Sequence, residues 1–182
     1  MVLGEQASPA VPELTSLMLR TKDVDVVHRI VFCLAAVGKD GVPSLVAALQ
    51  HAQLPGCRAA AYGLGINAPF EFGTNAAATV PLLAKLTSNT NEYLAKSAIE
   101  AIGRIHLEPQ VAVPALTNAL RSPSSGVQWE AEHAISQFGT NAICAVPLLV
   151  EALTNHVYKL RAAATNALLR IAPTVLTNVS RE

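Results

Sequence analysis

Apolar residues recur at three- and four-residue intervals in successive stretches of the chain, the spacing of one face of an α-helix. The clearest stretches read Leu94, Ala98, Ala101, Ile102, Ile105, then Val127, Ala131, Ala134, Ile135, Phe138, then Leu160, Ala164, Ala167, Leu168, Ile171. Val26, Ile30, Cys33, Leu34 and Val37 form an earlier copy. Ala60, Gly63 and Leu64 begin another, in which Asn67 stands where the last apolar residue belongs. Each copy has a small residue and a branched apolar one directly after it, and all but the Gly63 copy have an apolar one three further on. Each predicts a helix, termed B.

A second element precedes every B helix. Val-Pro-x-Leu occurs at Val11 to Leu14, Val42 to Leu45, Val80 to Leu83, Val113 to Leu116 and Val146 to Leu149. Proline fixes φ and lacks an N–H, so it belongs in the opening turn of a helix, or kinks the helix if it lies deeper. This element predicts a helix A. Polar breaks at Thr87 to Asn91, Ser122 to Ser125 and Thr154 to Asn155 separate A from B and supply side chains that cap free N–H groups.

The pairs repeat. The Val-Pro prolines lie 31, 38, 33 and 33 residues apart. Residues 72–105 align without gaps on 138–171, with 15 identities in 34 positions. One pair cannot bury its apolar face alone, whereas stacked pairs can. The reading is an all-α, α-α superhelix of about five helix pairs in a single domain spanning 1–182, with repeats at about 10–38, 42–66, 76–106, 111–139 and 143–172. The spacing of 38 implies about five extra residues, placed at Ile66 to Phe72, where Pro69 breaks the helix. Gly4 precedes Pro12 by eight residues, as Gly139 precedes Pro147. The chain is therefore expected to start in the tail of an earlier B helix, as a piece of a longer array.

Composition supports helices: half of the residues are apolar, yet only 4% are aromatic. The 13 basic and 13 acidic residues cancel, so no long-range pull toward phosphate exists and association is unopposed by self-repulsion. Mean hydropathy is +0.36, but the longest apolar candidate, Val24 to Val37, is broken by Asp25, His28 and Arg29, so no membrane partner is expected. Cys33, Cys57 and Cys144 are odd in number and widely spaced, the pattern of small residues in helix packing rather than of disulfides or zinc. With no leader read in Met1 to Ala10, a cytoplasmic location is expected.

The run Arg58-Ala59-Ala60-Ala61-Tyr62-Gly63-Leu64-Gly65, together with Ala98 to Ile105 and the Val-Pro-x-Leu elements, resembles the HEAT-repeat family, especially the short bacterial repeats of the phycobilin-lyase type with their armadillo-like superhelix. The resemblance covers nearly the whole chain and implies a right-handed superhelix whose B helices line the concave side. The family often has aspartate at the turn and arginine at the start of helix B. Only Asp23 or Asp25 and Arg58 match here.

The ridge of helix B opposite its core face then holds His28 and Phe32, Arg58 and Tyr62, Lys96, Glu100 and Arg104, Trp129, His133 and Gln137, and Asn166 and Arg170. Aromatics and arginine anchor binding surfaces. The ridge is therefore expected to bind a peptide or protein segment, without catalysis and with no cofactor or metal. The competing reading has the aromatics packing between neighbouring B helices. Catalysis finds little footing. His28, His51, His106, His133 and His156 lie apart, and Glu132-His133 reverses the His-Glu order that the resemblance would require of metal-dependent hydroxylases. Glu130 and Glu132 are expected to be one solvated and one partly packed.

Two alternatives follow from the resemblance. One is nucleic-acid binding of the DNA glycosylase type, disfavoured by the neutral charge and by Glu100 among the cations. The other is a lyase-like handling of tetrapyrroles. End-to-end self-association is also expected if the terminal apolar faces are open.

Overall fold

The computed structural model describes residues 4–51, 54–67 and 74–179. The expected extra residues around Pro69 and Phe72 lie largely outside this set, as does Leu3. Among the described residues every regular element is helical. The A helices are α1 (Val11–Arg20) and α3 (Val42–His51), then α6 (Val80–Leu86), α8 (Pro109–Ala119) and α10 (Val146–Ala152). The B helices are α2 (Val24–Ala36), α4 (Leu54–Asn67), α7 (Glu92–Ile105), α9 (Ser125–Ser136) and α11 (Tyr158–Ile171). Two short helices complete the set, α5 (Thr74–Ala77) and α12 (Pro173–Val179).

Local chemistry sets the ends of these helices. In α1, α6 and α10 the Val-Pro proline occupies the first turn, where its missing N–H has no intrahelical acceptor anyway. Pro114 differs. Glu108 adopts the left-handed region (φ 52°) and Pro109 opens α8 early, so Pro114 falls inside the helix and removes one of its hydrogen bonds. Asp23 Oδ1 accepts from the N–H groups of Asp25 and Val26 at 2.9 and 3.2 Å and so starts α2. Asn91 and Ser124 cap α7 and α9 by accepting from Leu94 N–H at 3.1 Å and Val127 N–H at 3.3 Å. After α2 and α9 the chain turns through Gly38 (φ 81°) and Gly139 (φ 51°). At the matching place after α7 stands His106, φ 39°, a strained conformation for a residue with a side chain.

The B helices form a continuous ladder: α2 packs on α4, α4 on α7, α7 on α9 and α9 on α11. Each also packs on the A helix of its own pair. In the A layer α1 touches α3 and α6 touches α8, with Thr15 Oγ1 donating to Ser44 Oγ at 2.6 Å. Bare backbone sets the ladder spacing. A Cβ added at Gly65 would lie 2.8 Å from Ala101 Cα, and one at Gly103 would lie 2.8 Å from Ala134 Cα. The leucines of four Val-Pro-x-Leu elements, Leu45, Leu83, Leu116 and Leu149, are fully buried, and Leu14 at the first is half-buried. The architecture is an α-α superhelix of stacked helix pairs with a core that runs along the whole stack.

The cysteines divide. Cys57 is buried and its thiol donates to Ala48 O at 3.3 Å; burial pushes that thiol up. Cys33 is half-buried. Cys144 departs from the packing role expected of it: the 3₁₀ stretch Gly139–Ala145 turns it out to solvent. No helix among the described residues is long and apolar enough to cross a membrane.

Candidate functional site

Positions one turn apart on each B helix line up as a ridge, and the ladder sets five such ridges side by side. His28 and Phe32 stand on α2, Arg58 and Tyr62 on α4, and Lys96, Glu100 and Arg104 on α7. Trp129, His133 and Gln137 follow on α9, with Asn166 and Arg170 on α11. All these side chains are exposed or half-buried.

The two main grooves of this surface meet at α9, the fourth of the five B helices. Trp129 is 42% exposed, and its indole stacks on the imidazole of His133 one turn later, with ring centroids 6.1 Å apart and planes within 10°. The pair forms a wall with a groove on either side. One groove, about 580 Å³, is bounded by Lys96, Gly126, Tyr158 and Asn166 from α7, α9 and α11. The other, about 600 Å³, is bounded by Glu100, Arg104, His106, Glu130 and Gln137, with Gly103 and Ala134 also on its lining.

Most ridge cations are already engaged. Arg104 donates to Glu100 Oε1 through Nε at 3.1 Å and Nη2 at 2.8 Å. Arg170 donates to Gln137 Oε1 at 3.2 Å and thereby ties α11 to α9. The Arg58 guanidinium sits 5.8 Å over the Tyr93 ring. Burial, and then the neighbouring Glu100 carboxylate, push the Glu130 carboxyl up, while Lys96 and Arg104 pull it back.

The structure does not gather all the sequence-derived ridge residues. Phe32 is 53% exposed, yet neither it nor His28, Arg58, Tyr62 or Arg170 lines either groove. Conversely, Tyr158 lines the first groove and carries Arg161 stacked 5.6 Å from its ring centroid, although the sequence reading passed over it. Extending the ridge one turn toward the start of each B helix finds it, because Tyr158 lies nine residues before Ala167. Tyr93 sits similarly in the first turn of α7.

The expectation for the α9 carboxylates needs correction: neither is solvated. Glu130 is half-buried, and Glu132 is only 2% exposed, with Oε2 lacking any hydrogen-bond partner. Glu132 lies two residues before the small signature residue, on a flank covered by neighbouring helices. Burial pushes its carboxyl up to about 8. Among the described residues no group of three histidine, cysteine, aspartate or glutamate side chains is placed to hold a metal ion.

Paired helices, stacked pair upon pair with an exposed aromatic on the inner row, define a helical-repeat scaffold. The chain belongs to the HEAT-repeat family, whose model, described as HEAT repeats, matches residues 79–169. Solved structures share the fold. An engineered protein is 27% identical, with a TM-score of 0.68, covering 89% of this chain and 79% of that one. The complex of CpcE and CpcF of phycocyanin lyase from Nostoc sp. PCC7120 is 21% identical, with a TM-score of 0.70, covering 91% and 66%. A designed armadillo repeat protein in complex with the peptide (KR)4 is 19% identical, with a TM-score of 0.64, covering 92% and 86%. The last two likenesses concern the fold alone. No curated protein matches the chain.

Proposed function

We propose that this chain is a binding scaffold that takes a peptide or protein segment along the concave face of its B helices, with Trp129 as the anchor. The observation that carries this reading is the Trp129–His133 wall: a stacked, half-exposed aromatic pair with an open groove on each flank. Large rigid aromatics at the centre of a surface supply most of the energy of protein recognition. The cations support the same reading. Arg104 and Glu100 neutralise each other and Glu130 stands beside them, which separates the remaining cations, Arg58, Lys96 and Arg170, on different helices. A phosphate backbone needs several uncompensated cations in a row, so this face suits a polypeptide better than a nucleic acid.

Trp129 is the one tryptophan in the sequence, so its emission reports directly on the groove. A phage-displayed random peptide library panned on the protein should yield ligands that shift this emission. Loss of the anchor in Trp129→Ala should weaken them by about 2 kcal/mol or more, roughly thirtyfold in Kd. Selected peptides that bind Trp129→Ala as tightly as the parent protein would overturn the proposal.

A further inference from the structure

Glu132 is an anomaly within its own repeat pattern. The residues two before the small signature residue of each B helix are Val31, Ala61, Ile99, Glu132 and Thr165. Val31, Ala61 and Ile99 are buried and apolar, and Thr165 satisfies its hydroxyl by donating to Arg161 O at 2.8 Å. Only α9 places a carboxylate there, 2% exposed, with Oε2 unpartnered. A buried acceptor without a donor destabilises the fold, more so when charged, so a carboxylate at a repeat position that holds alanine in α4 asks for a ligand.

A place for that ligand exists. Glu132 lines a cleft of about 550 Å³ between the end of α8, α9 and the end of α10. The cleft shares no lining residue with the two Trp129 grooves. Leu120, Leu148 and Ala152 give it apolar walls, and Arg121, Glu151 and Asn155 are among its polar lining residues. Three of its polar residues are already bonded: Gln128 donates to Ser122 O at 2.7 Å, Thr154 donates to Glu151 O at 2.9 Å, and Asn155 Oδ1 accepts from Val157 N–H at 2.9 Å. Arg121 and Glu151 join no ion pair among the described residues. Arg121 and Glu151 offset each other while Glu132 keeps its proton; once Glu132 ionises, the cleft lacks one positive charge. The apolar walls suit a methylene stem, and the buried oxygen suits an N–H donor.

We propose that this cleft receives the side chain of a lysine or arginine from a partner polypeptide, its cationic end donating to Glu132 Oε2 and its stem lying against Leu120 and Leu148. Binding would draw the Glu132 carboxyl back to its ionised form, since it holds its proton near neutrality in the free protein. One proton therefore leaves to the buffer as the cation enters.

The test is calorimetry at pH 7 on the full chain. The probes are Nα-acetyl-lysine methylamide and Nα-acetyl-arginine methylamide, with the uncharged Nα-acetyl-norleucine methylamide as control. The expected result is saturable millimolar binding of at least one cationic probe and none of norleucine. The heat should depend on the ionisation enthalpy of the buffer, the sign of proton release. Glu132→Gln, which preserves the side-chain volume, should lower the affinity tenfold or more. Glu151→Gln should lower it severalfold, and Glu130→Gln, in the Trp129 groove, should leave it unchanged. The proposal is overturned by binding that survives Glu132→Gln, by equal binding of norleucine, by displacement of the probe by calcium at one equivalent, or by no saturation up to about 50 mM, weaker than a single desolvated ion pair would give. Loss of peptide binding at Trp129 would leave every one of these outcomes unaffected.

Discussion

The spacing of the B-helix ladder is open to a direct perturbation, Gly103→Ala. The added methyl would sit 2.8 Å from both Cα and Cβ of Ala134, whereas carbon atoms rest at about 3.5–4.0 Å. The obstacle is the backbone of α9, not a side chain that can rotate away. The two helices must therefore part by roughly 1 Å over a buried interface, and overpacking of this kind destabilises by about 1–3 kcal/mol. Helix propensity opposes the loss, since alanine is favoured over glycine in a helix interior by about 1 kcal/mol. The clash should win, because the contact lies mid-ladder, where separating the backbones weakens a whole row of neighbouring contacts. The difference leaves about 0–2 kcal/mol, and the mid-ladder position puts the expected net loss in its upper half, about 1–2 kcal/mol, in urea unfolding followed by circular dichroism. Gly126→Ala is the matched control. Its methyl would meet Glu92 Oε1 at 2.6 Å, the far end of a flexible side chain that can swing clear. That variant should be neutral or more stable by up to about 1 kcal/mol. If Gly103→Ala proved as stable as the parent, or if both variants lost alike, the claim that naked backbone contact sets the ladder would be wrong.

Two further outcomes follow from single side chains. Glu132 holds its proton to about pH 8 in the folded chain, against an ordinary value of 4.5. Its contribution is therefore complete below pH 4.5 and is lost as pH rises toward 8, a fall of about 3 kcal/mol by pH 7. Glu132→Gln should flatten that slope in thermal melts taken across this range, and parallel curves for the two proteins would contradict the assignment. His106→Gly should relieve the left-handed strain after α7 and raise stability by about 1 kcal/mol, read from the urea midpoint. No gain would mean that the His106 ring, whose Nδ1 lies 2.9 Å from Arg104 O, compensates for the strain.

Much of the architecture was legible because a solenoid repeats its chemistry. The small-branched-apolar signature located α2, α7, α9 and α11, and the Val-Pro-x-Leu elements located the A helices, since both report a local period that tertiary context does not override. What was missed depends on neighbours rather than on period. Of Glu130 and Glu132 one was expected to be solvated, because counting along one helix separates only a core face from an outer face, whereas a B helix is covered by its A helix and by its ladder neighbours. Gly65 and Gly103 went unremarked, because nothing local shows that another helix lies against them. The depth of Pro114 followed from Glu108 entering the left-handed region without a glycine to announce it. On the candidate surface, Trp129, His133, Lys96, Glu100, Arg104, Gln137 and Asn166 were legible and meet around the two grooves. Phe32, Tyr62, His28, Arg58 and Arg170 share their ridge but line neither groove, because a row on successive helices need not close into one concavity.

The contact between Gly103 and Ala134 has a mechanical consequence. In an open stack, a small change of tilt at one rung is carried undiminished to every rung beyond it, as a door turns on its pin. The joint between α7 and α9, together with the A-layer contact of α6 with α8, sets the tilt of the later rungs, and the groove that opens beside Trp129 has the Gly103–Ala134 contact on its lining. The width of that groove is thus governed by how closely two chains of backbone lie together, and it would change without any substitution at Trp129 or His133.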